Sequence, residues 1–241
     1  MAKIIETNPI SLKKPILIEG FPGVGMIGTI STLYLVKELN MELVGYLASD
    51  KFPPFCVIHG GTPLPPARIY QSKKHNLLVL LSEFVIPLSE VYSVTNEVIR
   101  WAKEKKIESV ISLGGIGVGG SEHKLFGIAT TPELKKELEK HDVAIINEGA
   151  TTGVTGVLLA QAQVNRYSAA AILTSGHGIE IDLLGAAIVL DKLSKVIKVP
   201  IKTEKLVKEG IEIENRIKEI LKSAKTVRKK YEQIEESPMY R

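Results

Sequence analysis

Pro15-Ile16-Leu17-Ile18-Glu19-Gly20-Phe21-Pro22-Gly23-Val24-Gly25-Met26-Ile27-Gly28 is a short apolar run, a glycine-rich turn and the opening of a helical pattern, in that order. Pro15 to Glu19 predicts a strand. Gly25 to Asn40 predicts a helix, with Ile27, Ile30, Leu33, Tyr34 and Leu35 on overlapping faces. Leu43 to Ala48 reads as the next strand, so the stretch makes one βαβ unit and sets an α/β class with a parallel sheet.

Outward from this unit the alternation continues. Phe55 to His59, Arg68 to Gln71 and Leu77 to Ser82 read as strands, parted by Pro53, Pro54, Pro63, Pro65 and Pro66, which do not sit in a central ladder. An antiparallel meander is therefore expected in the middle of the chain. Ser89 to Lys105 predicts a helix, Ser109 to Leu113 a strand, and Thr131-Pro132 an N-cap with proline at the first helical position. Val143 to Asn147 predicts a strand, Thr155 to Asn165 a helix, Ala169 to Thr174 a buried strand and Ile181 to Val196 the last core helix. The expected architecture is a three-layer α/β/α domain with a mostly parallel sheet over residues 1–200.

Beyond Pro200 the composition changes. Thr203 to Glu235 holds one glycine and no proline, and predicts one long helix within an extension spanning 201–236. Leu206, Ile213, Ile217, Ile220, Ala224, Val227, Tyr231 and Ile234, with Gly210 occupying one seam position, recur in three- and four-residue steps, a seam that wants a partner. Folding back over the domain and packing on another subunit both fit it. Ser237-Pro238 ends the helix, because proline disfavours helical geometry in the residue before it, and residues 237–241 are expected to be a free docking tail.

Composition excludes several classes. Of the net charge of +4, residues 201–241 supply most, with 11 Lys or Arg against 8 Asp or Glu, too weak for a nucleic-acid footprint. The single cysteine, Cys56, cannot form an intrachain disulfide, and with no apolar leader at the N-terminus the expected location is the cytoplasm. No apolar run approaches the roughly 20 residues that span a bilayer, so no membrane association is expected.

Gly23-Val24-Gly25-Met26-Ile27-Gly28 matches the dinucleotide fingerprint, with Asp50 near where a ribose-binding carboxylate would stand. The same glycines equally permit a tight strand-to-helix turn and close helix packing. Gly114-Gly115-Ile116-Gly117-Val118-Gly119-Gly120 could cradle an anion, but lacks the Gly-Lys-Ser/Thr of a phosphate loop. A third turn, Glu148 to Gly156, also leads from a strand to a helix, so all three are expected along one rim of the sheet. His59, His75, His123, His141 and His177 show no zinc spacing. Glu122-His123 and Ser175-Gly176-His177 are the best acid/base candidates, although polar residues at strand ends usually cap turns. No cofactor, metal or catalytic residue is predicted. A nucleotide- or nucleoside-binding enzyme using the Gly23–Gly28 and Gly114–Gly120 loops stays open as an alternative, as does a scaffold for another partner protein.

The chain ends in Met239-Tyr240-Arg241, a hydrophobic-Tyr-X terminus, where a free carboxylate can pair with a buried cation and the ring can fill a pocket. Phe21 to Gly28, with Leu113-Gly114-Gly115 and Glu148-Gly149 to Gly156 at these separations, resembles the proteasome assembly chaperone family, in particular its archaeal homologues. The resemblance spans roughly residues 10–200, with the helix and tail appended. It implies an α/β/α domain, assembly into homotetramers or homopentamers, a first glycine motif that is structural, and no established catalysis. The terminal tripeptide is similar to the motif by which activators enter pockets between α-subunits of the proteasome core. That similarity implies that the terminal carboxylate would meet a lysine there and the tyrosine would favour the open gate. Met239, Tyr240 and Arg241 are accordingly the expected partner-binding residues, the proteasome α-ring the expected partner, and an ATP-independent activator or assembly factor the expected role. Several tails on one oligomer would bind multivalently.

Overall fold

The computed structural model describes residues 1–117, 122–175 and 181–206, and beyond them residues 214, 215, 217–220, 222, 223 and 226. Along the chain come β1 (Lys3–Glu6), β2 (Ile16–Gly20), α1 (Ile27–Glu38), β3 (Glu42–Ala48), β4 (Val57–His59), β5 (Thr62–Leu64), β6 (Ala67–Ser72), β7 (Leu77–Ser82) and α2 (Val91–Glu104). There follow β8 (Ser109–Ile116), β9 (Leu125–Ala129), α3 (Pro132–Lys140), β10 (Ala144–Ile145), α4 (Gly153–Val164), β11 (Ala169–Ser175) and α5 (Leu183–Val196). Nine strands form one sheet in the order β1-β3-β6-β7-β2-β8-β11-β9-β10, and β4 and β5 form a separate hairpin.

The centre of the sheet, β7-β2-β8-β11, is parallel, whereas β1-β3-β6-β7 is an antiparallel meander and β9 runs antiparallel to β11. The central strands are apolar at successive positions because both faces are covered. Leu17, Leu78, Leu80, Val110 and Leu173 enter one core, beneath α2 and α4. Their chain neighbours Ile18, Val79, Leu81, Ile111 and Ile172 enter the other, beneath α1 and α5. This is the expected α/β/α sandwich.

The first helix starts later than its pattern predicts. Gly25 and Met26 take left-handed backbone angles (φ 63° and 54°), so the chain makes one short 3-10 turn before α1 begins at Ile27. At the start of α3, Thr131 accepts a hydrogen bond from the Leu134 amide (3.4 Å), with Pro132 at the first position as the sequence predicts.

The extension leaves the domain through a fixed corner. Ser194 Oγ donates to the Val199 carbonyl (2.7 Å) and accepts from the Ile201 amide (3.2 Å), and Tyr34 Oη donates to the Lys202 carbonyl (2.5 Å). Every described residue from 204 to 226 is helical. Leu206 and Ile217, two positions of the seam, are buried in the α1/α5 core, so at these two residues the extension packs on its own domain. Each such burial contributes about 2 kcal/mol. Residues 207–213, 216, 221, 224, 225 and 227–241, the tail included, lie outside the described residues.

Candidate functional site

The carboxyl ends of β2, β8 and β11 share one edge of the sheet, where α/β proteins commonly carry ligand sites. The first glycine-rich turn and the start of the second glycine cluster meet there. A Cβ built on Gly115, near the end of β8, would stand 2.4 Å from the Val24 carbonyl oxygen, so the end of β8 lies directly against the turn after β2, while Val118, Gly119 and Gly120 lie outside the described residues. The third turn is entered from a strand of the opposite sense: β10 pairs parallel to β9, which is antiparallel to β11, and α4 then begins at Gly153.

The close spacing of the first turn is filled by protein. A Cβ on Gly28 would meet the Leu113 carbonyl oxygen at 2.4 Å and that of Phe21 at 2.8 Å, and a Cβ on Gly25 would meet Asp182 Cβ at 2.9 Å. Gly28 thus lets α1 sink onto β8. Over Gly25, where a pyrophosphate would have to approach, stands an aspartate instead, and its charge repels an anion. The glycine pattern is therefore explained by packing, as the structural reading of the motif expects. A cavity of about 580 Å³, lined among others by Glu38, Glu42, Gln71, Lys74 and Pro200, lies at the opposite end of the sheet.

Asp182 organises this edge. Its amide donates to the Gly25 carbonyl (2.9 Å), Oδ1 caps α5 through the Gly185 amide (2.7 Å), and Oδ2 stands 2.7 Å from His123 Nε2. A carboxylate orienting an imidazole is part of acid–base machinery, but a reacting group must complete it. Ser175 does not serve. Its hydroxyl donates to the Glu122 carbonyl (2.8 Å) and accepts from the Lys124 amide (2.8 Å), which clasps the ends of β11 and β9 together. The sequence candidates Glu122, His123 and Ser175 do converge here; Gly176 and His177 lie outside the described residues. The pairing of Asp182 with His123, 59 residues away, was missed in the sequence because nothing local signals it. Asp182→Ala should cost about 1 kcal/mol through loss of the α5 cap, read by urea unfolding. A change below a few tenths would mean the cap contributes nothing.

One residue before this loop, Glu19 is fully buried on the face of β2 that meets α2 and α4. Neither carboxyl oxygen makes a hydrogen bond of good geometry; the donors that face the group are the Ser112 hydroxyl, directly opposite on β8, and the Phe21 amide. Burial pushes the Glu19 carboxyl up to about 7, with the Ser112 hydroxyl and the Phe21 amide acting weakly in the other direction.

Among the described residues, no group of three His, Cys, Asp or Glu side chains could hold a metal ion, and no helix is long and apolar enough to cross a membrane. Met239, Tyr240 and Arg241, the expected partner-binding residues, lie outside the described residues.

The profile of the PAC2 family matches residues 17–221. An uncharacterised protein of Methanocaldococcus jannaschii is 34% identical over 242 residues, covering 99% of this chain and 98% of its own. PbaA of Pyrococcus furiosus, an archaeal homologue of proteasome-assembly chaperone, superposes with a TM-score of 0.83 at 32% identity over 93% of this chain and 99% of that one. PbaB of the same organism, an archaeal proteasome activator, shares the fold with a TM-score of 0.74 at 20% identity over 91% of this chain and 98% of that one. With the family profile running from the first core strand into the C-terminal extension, and a fold shared with PbaA along nearly its whole length, the chain belongs to the PAC2 family.

Proposed function

We propose that this protein is a non-catalytic accessory factor of the proteasome core particle, an ATP-independent activator or assembly factor that docks on the α-ring through Met239, Tyr240 and Arg241. The observation that carries the reading is the hydrophobic-Tyr-X terminus on a chain 32% identical to a proteasome-assembly chaperone homologue over nearly its full length. In this reading the chain works in the cytoplasm as a homotetramer or homopentamer, and each subunit presents one tail. Individually weak tails then hold the ring through effective concentration. The terminal carboxylate pairs with a lysine of the α-ring, and the Tyr240 side chain fills the pocket beside it.

Binding to an archaeal core particle, followed on native gels, tests the docking step. Deletion of 239–241 should abolish the complex while leaving the thermal midpoint of the domain unchanged. Tyr240→Ala should weaken it by roughly 30-fold or more, the cost of removing an aromatic anchor. A truncated chain that still binds would refute tail docking.

A further inference from the structure

Two neighbouring segments are apolar on both faces although each has only one face packed. In β4, Val57 is buried and Ile58 is 69% exposed. In the segment after β7, Phe84 and Ile86 are buried while Val85 and Leu88 are 63% and 88% exposed, and Tyr92, one turn on, is 62% exposed. The segments adjoin, because the Phe84 ring makes edge contacts with Phe52 (4.9 Å) and Phe55 (5.8 Å), and His59 Nε2 lies 2.9 Å from Glu83 Oε2. Apolar residues on both faces of a strand mark a strand covered on both sides. A lone two-stranded hairpin is also marginal in water, and β4–β5 stands apart from the main sheet.

We infer that the surface made by Ile58, Val85, Leu88 and Tyr92 is a contact with a second copy of this chain. The inference rests on the self-association in the proposed function and says where it occurs. Size supports it. These side chains leave on the order of 500 Å² of largely apolar surface bare, at the upper end of what a monomer exposes and most of the roughly 800 Å² per partner of a stable interface. Charge selects the occupant. Around the patch the exposed ions are already paired within the chain: the Met1 ammonium with Asp50 (3.2 Å) and Lys51 with the buried Glu90 (3.3 Å). Such a rim holds no net charge to recruit a strongly charged partner, and an identical copy meets it without like-charge repulsion.

Leu88→Asp places a charge in the patch without touching the core, and Val164→Asp, at an 80% exposed residue ending α4, is the control. Light scattering after size exclusion should give an oligomer for the wild type and for Val164→Asp. For Leu88→Asp it should give smaller species, with an association constant lower by roughly 30-fold or more. Cys56, exposed beside Ile58 and the only cysteine of the chain, supplies a second readout. Its maleimide labelling should be slow in the oligomer and speed up at least tenfold in Leu88→Asp, on the order of the change expected when an interface opens. An oligomer that survives Leu88→Asp with unchanged Cys56 labelling overturns this surface while leaving self-association intact. A monomeric wild type overturns both.

Discussion

Replacing Glu19 with glutamine is expected to stabilise the protein at pH 8 by about 3 kcal/mol and to leave it nearly unchanged at pH 4. Burial holds the folded carboxyl protonated up to about pH 7, whereas in the unfolded chain it ionises near its ordinary value of 4.5. Between those values the folded state keeps a proton that the unfolded state has released, so stability falls as pH rises through this window and is level above it. At about 1.4 kcal/mol per pH unit the window amounts to about 3 kcal/mol. Glutamine cannot ionise and can donate to the Ser112 hydroxyl. The thermal midpoint at pH 8 should therefore rise by roughly 6–12 °C. Equal midpoint differences between variant and wild type at pH 4 and pH 8 would show that Glu19 is not the buried acid described here.

Alanine at Gly28 should be more damaging than at any other residue of the glycine motif that keeps ordinary backbone angles. Its methyl group would sit 2.4 Å from the Leu113 carbonyl oxygen and 2.8 Å from that of Phe21, both backbone atoms of packed elements that cannot swing aside. Overpacking of this kind costs about 3 kcal/mol or more, because α1 must lift from the sheet. Gly23, five residues earlier, has an extended φ of −158° and nothing within 4 Å of a built Cβ. Gly23→Ala should therefore stay within about 0.5 kcal/mol of wild type. A dinucleotide site would predict that both substitutions act on ligand affinity. Urea unfolding of the two variants separates the cases, and a Gly28→Ala protein as stable as wild type would remove the packing explanation.

The central strands were legible in the sequence because a strand covered on both faces must be apolar at successive positions, as Leu77 to Leu81 and Ala169 to Leu173 are. The peripheral ones were not. β1 is four residues with a charged residue at each end, β5 contains Pro63, and β9 has Gly127 at its centre; each is held by a neighbour rather than by its own pattern. The reversed direction of β10 is likewise a property of its pairing, which no local pattern in the sequence carries.

At the candidate site, the convergence of Glu122, His123 and Ser175 followed from placing both segments at the carboxyl ends of strands. The Asp182 partner and the burial of Glu19 did not, because both depend on which distant residues surround them. The seam of the C-terminal helix was legible as a seam. Which surface it covers became visible only with Leu206 and Ile217 in the α1/α5 core.

The claim on which the functional account stands is that the last three residues engage and open the proteasome core. Peptide hydrolysis by an archaeal core particle, measured alone, with the full chain and with the chain lacking residues 239–241, tests it most directly. Stimulation by the full chain that disappears with the truncation is the result expected of a docking activator. Equal stimulation by both forms, or neither binding nor stimulation by the intact chain, would contradict tail docking.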